Sequence, residues 1–124
     1  DSADVVASYT YLDKSEDYRI DEVDASFYAL NYPPHRATLG VVWFATDTVE
    51  VRIDNEWRKQ ETNALRNGGD SAFFSHVTFT YSPAQVEGLS LVLAVDNLWD
   101  ERFEEIPGTP GRGDQYSATV TYFW

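Results

Sequence analysis

Apolar and polar residues alternate with period two in six stretches of the chain, the pattern of strands that show their two faces to different surroundings. "VVASYTYL" (5–12) places Val5, Ala7, Tyr9 and Tyr11 on one side. "HRATLGVVWFA" (35–45) does the same with Ala37, Leu39, Val41 and Trp43. In "TVEVRIDNEWRKQ" (48–60), Val49, Val51, Ile53 and Trp57, interrupted by Asn55, oppose Glu50, Arg52, Asp54, Glu56 and Arg58. "AFFSHVTFTYS" (72–82) sets Phe73, Val77, Phe79 and Tyr81 against His76, Thr78 and Thr80. "LSLVLAVDNLW" (89–99) is apolar on both sides for part of its length. "YSATVTYFW" (116–124) alternates to its end, with Tyr116, Ala118, Val120, Tyr122 and Trp124 opposite Ser117, Thr119 and Thr121. No stretch shows a convincing helical period. The pattern predicts an all-β chain.

The connections carry a further regularity. A long polar stretch (13–34) separates the first two segments, and only "TD" joins the second to the third. "ETNALRNGGDS" follows the third, "PAQVEG" the fourth, and "DERFEEIPGTPGRGD" the fifth. In an up-and-down meander, alternate connections lie at opposite ends of the sheet. The order long, short, long, short, long therefore puts every long loop at one end. A bacterial transmembrane β-barrel has this asymmetry. A ten-residue strand is roughly 33 Å long, and a tilt near 45° leaves a height of about 24 Å, close to the apolar band of such barrels. The aromatics gather in two girdles: Tyr9, Tyr11, Trp57, Phe73 and Tyr116 toward the long loops, and Trp43, Tyr81, Tyr122 and Trp124 toward the short turns. Amphipathic rings at two levels fit a membrane with two interfaces. The expectation is a six-stranded antiparallel up-and-down meander forming part of a transmembrane β-barrel. The alternative is a soluble β-sandwich, a binding or adhesin-like module, whose sheets cover each other's apolar faces.

Composition narrows the partners. The 124 residues suffice for one domain, and the aromatic share of 15% suits strands. A net charge of −12, from 21 acids against nine Lys and Arg, argues against nucleic acid. There is no Cys, so disulfides, thiolate metal sites and Cys nucleophiles are excluded. No charged and apolar leader opens the chain, which reads as a mature protein or a piece of one. No apolar run approaches the length of a spanning helix.

Candidate chemistry is sparse. His35 and His76 lie far apart without metal-site spacing; His35 reads as a residue of the outer rim and His76 as a lumen-facing polar group. Nucleophile elbows and phosphate loops are missing, so the chain reads as a non-enzyme needing no cofactor and no metal. Glu104-Glu105 and "DEVD" (21–24) supply carboxylates of the kind that bind calcium, though adjacent loop acids are usually just solvated. "RGD" (112–114) is too short a match to carry an integrin reading. The stripe Glu50 to Arg58 lines the lumen of a barrel, where cross-strand pairs contribute about 0.2–1 kcal/mol each. The residues nearest the outer mouth, Glu56, Arg58 and Phe74, and the loop residues Arg102 and Phe103, are the predicted ligand contacts.

One resemblance is more specific. Residues 89–124 resemble the C-terminus of TonB-dependent outer-membrane receptors: an apolar strand runs into Asn97-Leu98-Trp99-Asp100, then Phe103, then Pro107-Gly108 and Gly111-Arg112, then a last strand ending in an aromatic. "ASYTYLD" (7–13) followed by "PPHRATLGV" (33–41) is similar to the strands before it. Two departures stand out: the family usually ends on Phe rather than Trp, and it enters the last strand sooner than Gly113-Asp114-Gln115 allows. Such receptors are 22-stranded plugged barrels, so the resemblance implies that residues 1–124 are the C-terminal six strands, without the plug. It implies the bacterial outer membrane as location and outer-membrane lipid, the rest of the barrel and plug, and the TonB complex as partners. The imported cargo would be a scarce nutrient, most commonly an iron–siderophore. It also implies that Tyr116, Val120, Tyr122 and Trp124 serve membrane insertion and recognition by the barrel-assembly machinery.

Overall fold

The computed structural model describes residues 2–13 and 32–124; the acidic run 21–24 lies outside the described residues. Six strands form: β1 (Ser2–Tyr11), β2 (His35–Thr46), β3 (Val49–Lys59), β4 (Ser71–Tyr81), β5 (Leu89–Asp96) and β6 (Gln115–Tyr122). They make one sheet in the order β1-β2-β3-β4-β5-β6, every neighbouring pair antiparallel. The six-stranded antiparallel meander expected from the alternation is the observed fold. Asp47-Thr48 alone connects β2 to β3, and Thr46 pairs with Val49 across that turn. The long connections all lie at the other end, beside Tyr11, His35, Lys59, Ser71, Asp96 and Gln115.

Register assigns each face. Ala7, Leu39, Asn55 and Ser75 follow one another across β1 to β4, and one row further toward the short turns come Val5, Val41, Ile53, Val77, Val95 and Tyr116. Next come Ala3, Trp43, Val51, Phe79, Leu93 and Ala118. This apolar face is uncovered: Val5 is 63% exposed, Leu93 56% and Val120 71%. Among the described residues there is no second sheet or helix to pack on it, and the buried apolar residues are Ala72 and Phe103. Asn55 and Ser75 are the polar gap in the apolar face. Ser75 Oγ donates to Asn55 Oδ1 at 2.7 Å, and Trp99 Nε1 donates to Ser75 Oγ at 2.7 Å. A buried hydroxyl is thus satisfied on both sides, as a low-dielectric setting requires.

β5 ends three residues before the expected boundary. Leu98 and Trp99 continue the apolar pattern, but Asn97 and Asp100 both take left-handed backbone with φ near 51°, a conformation Asn and Asp tolerate better than most residues. Asn97 is buried, and its side chain staples the turn. Its Nδ2 donates to the carbonyls of Glu101 (3.0 Å) and Arg112 (2.8 Å), while its Oδ1 accepts the Glu101 amide (3.0 Å). β5 pairs with β4 only over Val77–Tyr81; beyond it, the Leu98 amide donates to the Ser75 carbonyl at 3.0 Å. At the other end β6 stops at Tyr122, the Phe123 amide donates to the Gly88 carbonyl at 3.0 Å, and Trp124 is fully exposed.

Candidate functional site

Opposite the apolar face, the even-numbered positions of β3 form the charged centre of the sheet. Arg52 Nε donates to Asp54 at 2.6 Å, and Arg58 Nε donates to Glu56 at 2.6 Å. Arg36, diagonally across on β2, pairs with the same Glu56 carboxylate. Side chains two apart on a strand share a face, so the stripe pairs along and across strands as its spacing allows. The Arg58 guanidinium also lies over the Phe74 ring, 5.3 Å from its centroid, a favourable cation–π placement. Its far side meets Glu105, from the β5–β6 loop.

The face is concave. A hollow of about 530 Å³ is bordered by Thr38, Gly40, Asp54, Glu56, Phe74 and His76. Gly40 opens its floor: a Cβ there would sit 3.0 Å from Asp54 Oδ1. His76 contacts Thr78 Oγ1 through Nε2 at 3.0 Å and Asp96 through Nδ1 at 3.5 Å.

The structure divides the five residues named for ligand contact. Glu56, Arg58 and Phe74 come together at the long-loop end of the charged face. Arg102 does not join them; its guanidinium lies against Asp100 at 2.9 Å and over Gly113. Phe103 is 6% exposed, under the guanidinium of Arg66 at 5.4 Å. It is the core of a loop cluster, although it borders a second hollow of about 440 Å³ together with Phe74 and Glu105. Sequence reasoning left out Arg36 and Glu105. Arg36 stands on the polar side of its strand by alternation, whereas nothing local marks Glu105 as the loop residue that reaches Arg58.

The loop cluster joins the β3–β4 and β5–β6 connections. Arg66 Nε donates to the Glu104 carbonyl at 3.0 Å, and Nη1 donates to the Glu61 carbonyl at 3.1 Å and pairs with Asp70. The Glu104 carboxylate accepts from Asn67 Nδ2 (3.0 Å) and from the Asn67 and Gly108 amides (both 3.2 Å). These bonds, the Asn67 side chain first, hold its carboxyl below the ordinary carboxylate range. Asp100 is lowered likewise, by Arg102 first and then by the Asp114 amide. Among the described residues no three His, Asp or Glu side chains group as a metal site, and no helix is long and apolar enough to cross a membrane.

Of the residues named for membrane insertion, Tyr116, Val120 and Tyr122 lie on one face of β6, opposite Val95, Leu91 and Leu89 of β5, and Trp124 lies beyond the strand end. Tyr116 and Val120 are each 71% exposed, and the Tyr122 and Trp124 rings are 6.4 Å apart. Comparison with family models, with curated proteins and with solved structures returned no match.

Proposed function

We propose that this chain is a wall segment of a transmembrane β-barrel and, on the resemblance of residues 89–124, the C-terminal part of a TonB-dependent outer-membrane receptor. The observation that carries the reading is the uncovered apolar face, banded by aromatics at both ends, on a sheet whose other face is charged and concave. A sheet of this kind in water would leave its large side chains solvated at about 25 cal/mol for each Å² of apolar area. Lipid removes that cost. The two edges, β1 and β6, each have a neighbour on one side only; in hydrocarbon each unpaired backbone group costs several kcal/mol, so further strands complete the wall. The soluble sandwich reading requires a second layer, which the described residues do not supply.

In this reading the charged face lines the lumen, and Glu56, Arg58 and Phe74 meet the cargo near the outer mouth. The cargo is a scarce, bulky nutrient, with iron–siderophores the leading class. Fractionation tests the proposal. The protein should sediment with outer membranes, resist alkaline extraction and leave the membrane only with detergent. A chain that is found in the aqueous fraction and stays monomeric in plain buffer overturns it.

A further inference from the structure

The apolar face holds an asymmetry of charge that its period alone does not require. The chain carries 21 acids, yet none of them stands on this face within the six strands. Two bases do. His35 and Lys59 are direct cross-strand partners in the last row of β2 and β3, flanked by Tyr11 on β1 and Ser71 on β4. The next row inward is Tyr9, Ala37, Trp57 and Phe73. The face thus passes from an aromatic row to a basic row at its long-loop rim.

Geometry makes the pair specific. Tyr9 Oη and His35 Nδ1 are 2.7 Å apart, and the Tyr11 and His35 rings lie 5.1 Å apart. If the tyrosine donates, Nε2–H is left as the imidazole's own donor. Lys59 is exposed and makes no ion pair with another described residue. An anion between the two would meet the Lys59 ammonium on one side and the imidazole Nε2–H on the other. A depression of about 280 Å³ opens beside them, bordered also by Gln60. Gln60 is 3% exposed, and its Oε1 lacks a hydrogen-bond partner among the described residues. Asp13 and Glu61 border the same depression, each beyond a strand end on the loop side, so its positive end is the one toward the apolar face.

We propose that Tyr11, His35 and Lys59 form a binding site for the phosphate of an anionic lipid headgroup in the outer leaflet. The phosphate sits between the Lys59 ammonium and the imidazole Nε2–H. The row lies at the level where the apolar band ends, which is where headgroup phosphates lie. This inference rests on the membrane reading above and adds a ligand to it.

The test uses the protein extracted from its membrane in neutral detergent, with phosphatidylglycerol as the probe and phosphatidylcholine as the control. Bound lipid is counted by native mass spectrometry. A lysine near an anionic lipid surface is worth about a fivefold change in binding, so Lys59→Gln should reduce phosphatidylglycerol retention about fivefold. Lys59→Arg should restore most of it, and phosphatidylcholine should be unaffected throughout. Equal retention in wild type and Lys59→Gln overturns the site, as does displacement of the lipid by an equal concentration of inorganic phosphate. A chain that never enters the membrane fraction fails differently, since it removes the membrane reading itself.

Discussion

Asn97 offers the sharpest test of how the β5–β6 loop is held. Its side chain makes three hydrogen bonds while only 5% exposed. A typical intramolecular hydrogen bond contributes about 1 kcal/mol net, so Asn97→Gly, which keeps the left-handed φ available, should destabilise the closed loop by roughly 3 kcal/mol. Asn97→Ala loses the same bonds and places a Cβ in left-handed backbone, at about 1 kcal/mol more. At 1.4 kcal/mol per factor of ten, the glycine variant should open the loop more than a hundredfold more often than wild type. Hydrogen exchange of the Leu98 and Asp114 amides reads this directly. Both are bonded elsewhere, to the Ser75 carbonyl and to Asp100 Oδ1, so neither depends on the side chain removed. Wild-type protection of these two amides in Asn97→Gly would refute the staple. Equal protection in the alanine and glycine variants would refute the backbone argument alone.

Three further outcomes follow from the same geometry. Because Glu104 is held below the ordinary carboxylate range, docking of the two loops should be complete above about pH 5 and lost as the pH falls through the lowered value; limited proteolysis across this range should show cleavage near residues 104–110 rising on acidification, and Glu104→Gln should flatten the profile. Gly88→Ala, at φ +81° with its new Cβ 2.1 Å from the Phe123 carbonyl oxygen, should cost about 2–3 kcal/mol from left-handed strain and a lost end bond, visible as a thermal midpoint several degrees lower in detergent. Deleting Tyr122-Phe123-Trp124 removes that bond together with the Tyr122–Trp124 ring pair, so the amount of assembled protein in the outer membrane should fall, whereas Arg58→Gln should assemble normally and lose cargo uptake; normal levels of the truncated form would contradict the assembly role.

The meander and the identity of its two faces were legible because both depend on local quantities, the period of two and the lengths of the loops. Val51, Ile53 and Trp57 declare their side by spacing alone. The end of β5 was not legible, because Leu98 and Trp99 extend the apolar alternation and only the left-handed Asn97 breaks it. Phe103 shows a different limit. An aromatic in a polar loop reads as a contact for something outside, yet it is buried by Arg66 from a loop almost forty positions away. Chain spacing holds no trace of that pairing. The His35–Lys59 pair needed the β2–β3 register, since each residue alone is an ordinary polar strand end.

The short pairing of β4 with β5 has a mechanical consequence. β3 and β4 are laddered along their whole length, while β5 holds β4 only over the half nearest the short turns. Toward the long loops the ladder gives way to one backbone bond from Leu98, one indole bond from Trp99 and the His76–Asp96 contact, and the loops above are tied by Arg58–Glu105 and by Glu104 with Arg66 and Asn67. Bending stiffness across a sheet depends on the density of such bridges. The segment therefore divides into two plates, β1–β4 and β5–β6, meeting at a crease held by backbone ladder at one end and mainly by side chains at the other. A displacement of the β5–β6 loop about that crease is passed through the Glu105–Arg58 pair to the Glu56–Arg58 cluster on the larger plate.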